Sequence, residues 1–528
     1  MKRFIAACMV AGCLALGVSH AQATAPLTAT VQTDSGPVRG TERDDILAWR
    51  GIPYATAPVG ELRWRPPQPP KAWTTPRDAS VYGNFCPQNA ELGVFGQAGG
   101  SEDCLNLNVF VSRQAAQGGQ KLPVFVWIHG GSLWVGAARD YDPSWLAIQG
   151  KAVVVTLNYR LGLLGFFAHP ALRAEDGATS NYGFMDQQLA LDWVQRNIAA
   201  FGGDPDNVTI SGESSGGGSV LAHMVSPGSA GKFQHAVAMS GAAVALRFPA
   251  FGAPKPLEWA ERQGRAFAQT TGCDQQGDVA IAACLRQLPA ETVLASQGPY
   301  LLNQLVLDGK VMPMHPGDAF RSGQFNHATF INGTTRDEGG FFVGLAEDLS
   351  GQPMDDSTYA ATMRLYFGSR VNAVMQEYPA DRFATRSDAA AAAITDMLFA
   401  CPARAINRWT SVHVPTFAFE FSDRTAPSYL KPVSFAMGAA HTLELAYLFP
   451  SFHGGAGRPV QLNSQQLRLA EKMVNVWTTA AKAGEREALW RYEPTRDNFL
   501  NLSLPQTHVT NGFGKDHHCD FWDQSSFY

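Results

Sequence analysis

Three short apolar runs, each rich in β-branched residues, constrain the fold of this 528-residue chain most strongly. They lie at residues 124–128, 153–157 and 208–211. Each is too short for a buried helix of ordinary length and is typical of a strand that is buried on both faces. Between the second and third runs, residues 186–200 carry apolar side chains at roughly helical spacing. This alternation predicts an α/β fold, with a mostly parallel sheet that helices cover on both faces.

The composition indicates one globular body with few charges. Apolar residues make up 45% of the chain and charged residues only 16%, which excludes disorder and a coiled coil. No internal repeat and no low-complexity linker divides the chain, so we expect residues 24–528 to form a single domain. The formal net charge is −5 and no run of five or six like charges occurs. A nucleic-acid partner is therefore not expected.

Residues 1–23 have the three parts of a secretory signal peptide. Lys2 and Arg3 precede an apolar stretch over residues 4–18, and small residues at 21–23 offer a cleavage site. The prediction is a secreted or periplasmic protein. A membrane anchor would need about 20 apolar residues. A lipoprotein acylated at Cys13 is a second alternative, although the apolar run continues past that cysteine.

Six cysteines remain after the signal peptide, and an even number in an exported chain predicts disulfides. Six cysteines allow fifteen pairings, but the first four fall into two pairs that are close in sequence, which leaves the last two for each other. The pairs so predicted are Cys86 with Cys104, Cys273 with Cys284, and Cys401 with Cys519. A zinc site at residues 517–519 (HHC) is the rival interpretation. It is disfavoured because no CxxC pair accompanies it, so no metal is expected.

The sequence GESSG at residues 212–216 is the strongest catalytic motif. It follows the third predicted strand and precedes residues 217–224, a plausible helix, which is the context that a nucleophile elbow requires. The glycines allow a sharp turn that presents Ser214 at the carboxyl edge of the sheet. Ser214 is therefore the candidate nucleophile.

A serine nucleophile needs a base, an orienting acid and an oxyanion hole, and spacing alone leaves several candidates for each. Asp337 and Glu338 compete for the acid in a loop after a short apolar run. The candidates for the base are His441, in a loop rich in Gly and Ala, and His315, His327 and His453. Upstream, the sequence WIHGGS at residues 127–132 ends a buried strand with glycines, whose N–H groups can turn toward a developing negative charge.

Taken together, these residues resemble the type-B carboxylesterases, the family of cholinesterases, fungal lipases and bacterial para-nitrobenzyl esterases. The similar blocks run in order along nearly the whole mature chain, and include GIPYATAPVGELRWRPPQPP, SEDCLNLNVF, PVFVWIHGGS, VVVTLNYRLGLLGF, GESSGG, DEGGFF, GAAHTLEL and CDFWDQ. The resemblance implies an α/β-hydrolase fold with large insertions.

The resemblance also implies roles for individual residues. Ser214 matches the nucleophile, His441 the general base and acid, and Glu338 the orienting carboxylate. The residues that match the oxyanion-hole donors are Gly131, Ser132 and Ser215. Those that match polar groups around the triad are Glu213, Ser240 and Glu444. Two structural ion pairs are implied, Arg63 with Glu102 and Arg160 with Asp186, and the family's disulfides match the three pairs predicted from spacing.

Departures from the family pattern bear on substrate choice. Ser132 stands where the family usually has a third glycine, so we expect bulky esters, above all those of tertiary alcohols, to be poor substrates. Ser215 replaces the usual alanine, which is a small change. No tryptophan lies between Cys86 and Cys104, where cholinesterases hold a quaternary ammonium, and Phe95 has a weaker cation–π face. Acetylcholine is therefore not expected as the preferred substrate.

The resulting expectation is a serine hydrolase that cleaves small-molecule carboxylic esters through a Ser-His-Glu triad and an acyl-enzyme intermediate. It needs no cofactor, has no stable membrane insertion, and is favoured to be a monomer. A lipase at lipid interfaces, or a hydrolase of amides, carbamates or polyesters, would use the same residues. A non-catalytic adhesion scaffold is a remote alternative, since such relatives typically lose the nucleophile.

Overall fold

The computed structural model describes residues 29–90, 92, 95–177, 180–275, 277–298, 305–454, 457–479, 490–524 and 527–528. The predicted signal peptide at residues 1–23, with the alternative acylation site at Cys13, lies outside the described residues.

The strands of the described residues are short, and most are buried. In chain order they are β1 (Thr30–Gln32), β2 (Pro37–Arg39), β3 (Thr41–Arg43), β4 (Ile46–Pro53), β5 (Arg77–Asp78), β6 (Asn106–Ser112), β7 (Leu122–Ile128), β8 (Val153–Leu157), β9 (Gly203–Glu213), β10 (His235–Met239), β11 (Lys255–Pro256), β12 (Val306–Leu307), β13 (Thr329–Thr335), β14 (Thr416–Phe421), β15 (Phe499–Leu502) and β16 (His508–Thr510).

Eleven of these strands form one sheet in the order β16-β15-β14-β13-β10-β9-β7-β8-β6-β4-β3. The seven strands from β15 to β8 are parallel to their neighbours. The pairs at the two edges are antiparallel. The predicted mostly parallel sheet is confirmed. Strands β9 and β7 lie side by side at its centre. The strands that follow β9 in the chain lie on the β9 side, whereas β8 and the strands that precede β7 lie on the β7 side.

Both faces of the sheet are covered, as the continuous apolar runs predict. Along β7, Val124, Val126 and Ile128 pack into the core on one face. Phe125 and Trp127 pack into the core on the other face. All five side chains are at most 1% exposed. Because strand side chains alternate in direction, only an apolar residue at every position fills both cores.

The helices flank this sheet. They are α1 (Arg113–Ala116), α2 (Ser144–Gly150), α3 (Gly162–Phe166), α4 (Pro170–Asp176), α5 (Tyr182–Asn197), α6 (Ser215–Val225), α7 (Leu257–Thr270), α8 (Asp278–Gln287), α9 (Ala290–Ser296), α10 (Pro316–Ser322), α11 (Gly339–Ser350), α12 (Asp356–Phe367), α13 (Val371–Glu377), α14 (Arg386–Thr395), α15 (Cys401–Thr410), α16 (Leu445–Leu448), α17 (Ser464–Thr479), α18 (Phe513–Asp516) and α19 (Cys519–Asp523).

A five-residue π-helical segment, Asp396–Ala400, joins α14 to α15. The resulting helical stretch, Arg386–Thr410, is the one part of the described chain that is long and apolar enough to cross a membrane. Its most apolar window is 89% buried inside the protein. In this fold the stretch therefore serves as core.

Three disulfides join Cys86 to Cys104, Cys273 to Cys284, and Cys401 to Cys519. Disulfides persist in oxidising compartments, so these bonds indicate a protein outside the cytosol. His517, two residues before Cys519, lies between two carboxylates. Its ring nitrogens are 2.6 Å from Asp396 Oδ1 and 2.7 Å from Glu420 Oε1. Burial lowers its pKa, but the two carboxylates raise it to about 10 overall. His517 is therefore a cation that is already paired with two carboxylates.

Two ion pairs brace the chain. The Arg63 guanidinium donates to both oxygens of Glu102 at 2.7 and 2.5 Å. Arg160 does the same with Asp186 at 2.8 and 2.7 Å, and both of these side chains are almost fully buried. The Arg160 pair attaches the loop after β8 to the first turns of α5.

Candidate active site

Ser214 stands at a sharp turn between β9 and α6. Its backbone has φ +58° and ψ −127°, a strained conformation for a residue with a side chain. The chain turns so tightly that a Cβ on Gly212 would lie 2.5 Å from the Gly216 carbonyl carbon. A Cβ on Gly216 would lie 2.1 Å from the Ile128 oxygen. Both glycines of the GESSG motif are therefore required by close approach of the backbone.

The other predicted site residues also follow the carboxyl ends of parallel strands. Ser240 comes directly after β10, Glu338 follows β13, and Gly131 and Ser132 lie in the loop after β7. His441 lies in the long connection that follows β14. Carboxyl ends of parallel strands meet at one edge of a sheet, which brings these distant residues together.

Glu338 orients the His441 ring. The Nδ1 atom of His441 lies 2.5 Å from Glu338 Oε2, and both side chains are at most 3% exposed. A hydrogen bond at this distance fixes the proton on Nδ1, since the carboxylate accepts, and leaves Nε2 free to accept a proton. This is the tautomer that a general base needs.

The second oxygen of Glu338 is held by three donors. Oε1 accepts from the Ser240 hydroxyl at 2.6 Å, from the backbone N–H of Thr335 at 2.8 Å, and from the Thr334 hydroxyl. Burial raises the pKa of Glu338, but His441 and these donors lower it below its usual value overall. The carboxylate is thereby stabilised in its charged form inside the protein.

Two further carboxyl groups, Glu213 and Glu444, are buried beside the pair. Burial and the negative charge of neighbouring carboxylates raise the pKa of both well above the usual value. Glu444 has no hydrogen-bond partner for either carboxyl oxygen among the described residues. Of these three buried carboxyl groups, Glu338 is the one whose pKa lies below its usual value, and the pKa values of Glu213 and Glu444 are both raised.

Glu213 Oε1 lies 3.2 Å from His441 Nε2. In the described part of the chain, no hydrogen bond joins Nε2 to the Ser214 hydroxyl. Catalytic hydrogen bonds are often long in an unliganded enzyme and tighten when substrate binds. The structure thus brings the acid and the histidine into contact and places the serine in the turn directly after Glu213.

The loop after β7 presents unused donors. Gly131, Ser132 and Leu133 all have positive φ, at +97°, +57° and +61°. A Cβ on Gly131 would lie 2.2 Å from the Val135 oxygen. Of the residues that the structure describes, none accepts a hydrogen bond from the N–H of Gly131 or Ser132. The N–H of Ser215, the first residue of α6, has no acceptor within its own helix.

The Ser215 side chain has a contact that sequence comparison does not suggest. Its hydroxyl accepts from the backbone N–H of Leu133 at 3.1 Å. This bond joins the start of α6 to the loop after β7, so the serine that replaces the usual alanine helps to hold the candidate donors in register.

A cavity of about 560 Å³ that opens to solvent lies over Ser214. Its walls combine serine hydroxyl groups with apolar and aromatic side chains, and they include Ser132, Val244, Phe251, Leu305, Phe342 and Phe399. Ser132 lines this cavity, as its position in the loop predicts.

The structure distinguishes Asp337 from Glu338, the two adjacent acids between which the sequence alone could not choose. Asp337 accepts two bonds from the Arg424 guanidinium at 2.8 and 2.6 Å, and a third from the Ala439 N–H at 2.9 Å. Its own N–H donates to the Ala439 oxygen at 3.0 Å. Asp337 therefore anchors the loop that carries His441, while Glu338 contacts the ring.

The three rival histidines lack an acid partner in the described structure. His315 instead accepts from the Gly317 N–H at the start of α10. Sequence reasoning missed Thr334, whose hydroxyl contacts Glu338. Phe399 lies against the histidine, with its ring centroid 5.0 Å from that of His441. Phe399 belongs to the π-helical segment, a feature that often marks functional sites.

Comparisons with known proteins match most of the chain. The model of the carboxylesterase family matches residues 27–522. The para-nitrobenzyl esterase of Bacillus subtilis (strain 168) is 34% identical over 488 residues, which cover 89% of this chain and 94% of that protein. The cocaine esterase of Homo sapiens is 32% identical over 536 residues, 94% of this chain and 92% of that protein. A solved PNB esterase structure superposes with a TM-score of 0.76 at 33% identity, and covers 93% of this chain and 98% of its own.

Proposed function

The chain belongs to the carboxylesterase family and is a carboxylic ester hydrolase with an α/β-hydrolase fold, and we propose that it works as a secreted or periplasmic serine hydrolase through Ser214, His441 and Glu338. The observation that carries the proposal is the Glu338–His441 contact at 2.5 Å beside the Ser214 turn. The family match supports the reaction class.

In the first half of the proposed reaction, the ester carbonyl lies over Ser214 in the cavity. His441 Nε2 takes the hydroxyl proton as the serine oxygen attacks the carbonyl carbon. Glu338 stabilises the imidazolium that forms. The same proton then passes to the departing alcohol, and the acyl group remains on Ser214.

The tetrahedral oxyanion is held by the N–H groups of Gly131, Ser132 and Ser215. Two of these donors are unpaired in the described structure, so they are available without rearrangement. One such donor contributes roughly 3 to 4 kcal/mol to the transition state. Water, activated by His441, repeats the sequence and releases the acid.

We further propose that residues 1–23 are removed on export and that residues 24–528 form one catalytic unit, which functions as a monomer. The disulfides support a location outside the cytosol. The substrates are small esters with an apolar acyl or alcohol part, because aromatic and aliphatic side chains line most of the cavity.

The direct test is Ser214→Ala, assayed with para-nitrophenyl butyrate. The expected loss of kcat is roughly 10⁴- to 10⁶-fold, because no other hydroxyl replaces the nucleophile. Ser226→Ala, at the end of the same helix α6, is the matched control and should keep its activity. Turnover that survives in Ser214→Ala, with a melting temperature unchanged from wild type, would refute the assignment.

A further inference from the structure

Helix α6 begins with Ser215, which three consecutive glycines follow, Gly216, Gly217 and Gly218. After proline, glycine is the residue least favourable to a helix interior, so each of the three needs a physical reason. Close packing gives that reason for the first two. A Cβ on Gly216 would collide with the Ile128 oxygen, and a Cβ on Gly217 would collide with the Met239 oxygen.

Gly218 differs from its two neighbours, because packing does not require a glycine there. A Cβ on Gly218 would lie 3.6 Å from the Gly241 oxygen and 3.9 Å from Val244 Cβ, which are ordinary van der Waals distances. Gly218 is also not among the glycines with positive φ. Alanine would therefore fit the folded backbone and would favour the helix. The fold by itself does not explain glycine at this position.

The missing side chain of Gly218 would stand in the cavity over Ser214. Gly218 lies one helical turn after the nucleophile, and its N–H donates to the Ser214 carbonyl oxygen at 2.9 Å. Every Cα–Cβ bond of a helix is tilted toward the N-terminus, which is where Ser214 stands. Gly218 lines the cavity together with Gly241 and Val244, the two residues that its Cβ would touch. We call these three residues the cavity floor.

The space above the cavity floor is small. The part of the cavity that a small molecule can enter has room for roughly four water molecules. One methyl group on Gly218 would therefore remove a large part of that space. A substrate group that reaches the floor depends on the absence of this methyl group.

The proposed reaction assigns the cavity floor to the acyl half of the ester. The departing alcohol oxygen takes its proton from His441 Nε2, so the alcohol half lies toward the histidine. The rings of Phe342 and Phe399 mark that side of the cavity, with centroids 5.1 and 5.0 Å from the His441 ring. The floor belongs to other elements, α6 and the chain directly after β10.

We propose that Gly218 sets the length of the acyl chain that the enzyme accepts, because its missing side chain leaves the cavity floor open to the carbon atoms beyond the carbonyl group. The inference rests on the proposed function and names its substrate class, esters of short unbranched aliphatic acids of about four carbon atoms. In an apolar pocket, one methylene group changes kcat/KM by roughly 10- to 200-fold.

The test compares kcat/KM for para-nitrophenyl acetate and para-nitrophenyl butyrate in wild type and Gly218→Ala. The added methyl group should lower the butyrate-to-acetate ratio roughly tenfold or more, because only the longer acyl chain reaches the cavity floor. Gly512→Ala is the matched control. A Cβ there would lie 3.8 Å from Thr510 Oγ1, and Gly512 does not line the cavity, so the ratio should equal that of wild type. An unchanged ratio in Gly218→Ala would overturn the inference.

Val244→Ala tests the same space in the opposite direction, and it decides the question if Gly218→Ala does not fold. Removing two methyl groups lowers the cavity floor, so the rate on para-nitrophenyl hexanoate relative to butyrate should rise roughly tenfold. An equal or lower ratio in Val244→Ala would overturn the inference.

Ethyl acetate and butyl acetate test whether the acyl half or the alcohol half reaches the floor. Their rate ratio should be the same in wild type and Gly218→Ala, because the acyl group is acetyl in both. A fall of the butyl-to-ethyl ratio as large as that in the acyl series would overturn the acyl assignment. Failure of the proposed function is distinguishable, since it appears as turnover that survives Ser214→Ala. Loss of turnover in Ser214→Ala with an unchanged acyl ratio in Gly218→Ala would overturn this inference alone.

Discussion

The site has two halves that are built in opposite ways: one holds Glu338 and His441, and the other holds Ser214 and the candidate oxyanion-hole donors. On one side, Glu338 accepts four hydrogen bonds, and Asp337 holds the loop that carries His441. On the other side, the N–H groups of Gly131 and Ser132 have no described acceptor, and Ser132 and Ser214 both have positive φ. Ser240 and Thr442, in the first half, also have positive φ. The two halves therefore differ in their hydrogen bonds: the first is saturated, and the second keeps open donors.

This difference follows the charge that each half must stabilise. Glu338 carries a permanent charge in a buried place, which is tolerable only when its oxygens are fully hydrogen-bonded. The oxyanion exists only during the reaction, so its donors must stand ready and unpaired beforehand. Saturated and open halves therefore respond differently to substitution.

The largest expected effect breaks the saturated half at its centre. Glu338→Gln removes the charge and favours the wrong tautomer of His441, so kcat should fall roughly 10⁴-fold. Initial rates with para-nitrophenyl butyrate measure it. Glu377→Gln, which removes a half-exposed carboxylate from its ion pair with His518, should remain active. A loss in Glu338→Gln smaller than tenfold would show that Glu338 does not orient the histidine.

A smaller effect is expected where the saturated half is anchored. Asp337→Asn weakens the contact between Arg424 and the loop that carries His441, and a displaced base should lower kcat by roughly tenfold with little change in KM. Asp516→Asn removes a carboxylate that pairs with Arg336 instead. If both variants lose the same activity, the loss reflects general destabilisation rather than positioning.

A substitution in the open half should change the range of substrates that the enzyme accepts. Ser132→Gly restores the usual glycine and enlarges the cavity, so the rate on a tertiary-alcohol ester relative to a primary-alcohol ester should rise by roughly tenfold. Ser180→Gly is the matched control, because Ser180 also has positive φ, at +55°, but does not line the cavity. An unchanged ratio in Ser132→Gly would remove Ser132 from the determinants of substrate size.

The smallest effect concerns stability and pH. Glu444 has a raised pKa in the folded protein, so wild-type stability falls as pH rises above the usual carboxyl pKa near 4.5. Glu444→Gln cannot ionise, and its unfolding free energy relative to wild type should increase from pH 4 to pH 8, by about 1.4 kcal/mol for each unit of pKa shift. Denaturant unfolding at both values measures it.

For Glu420→Gln, the stability relative to wild type should change with pH in the opposite direction. Burial raises the pKa of Glu420, but His517 and its other partners lower it to about 2 overall. The wild type therefore gains stability above the usual pKa and loses it as pH falls toward 2. Glu420→Gln should become less stable relative to wild type as pH rises from about 2.5 to about 5, a range in which His517 is protonated in both the folded and the unfolded state. The same trend in both variants would contradict this account of the buried carboxyl groups.

Much of the fold could be read from apolar periodicity, with errors at element ends. The predicted strand at 153–157 matches β8, but the one at 208–211 is the middle of β9, which extends over Gly203–Glu213. The helix predicted at 186–200 begins four residues earlier, at Tyr182, and α5 ends at Asn197. Tertiary packing determines where a strand or helix ends, and the local sequence pattern carries no information about that packing.

The site was predictable where a residue sits in a local motif, and less so where it acts by contact. The elbow around Ser214 has its own glycine pattern. The sequence alone could not choose between Asp337 and Glu338, because adjacent residues point in different directions only once the loop is folded. Thr334 and Arg424 carry no motif for their roles, since each acts through a partner that folding brings near.

Direct observation of the acyl-enzyme tests the central claim most directly. The wild-type protein is mixed with para-nitrophenyl butyrate, quenched in acid during turnover, and analysed by intact and peptide mass spectrometry. The account predicts one added butyryl group, located on Ser214 and absent from Ser214→Ala. A butyryl group on another residue in the quenched wild type, or turnover with Ser214 never acylated, would contradict it.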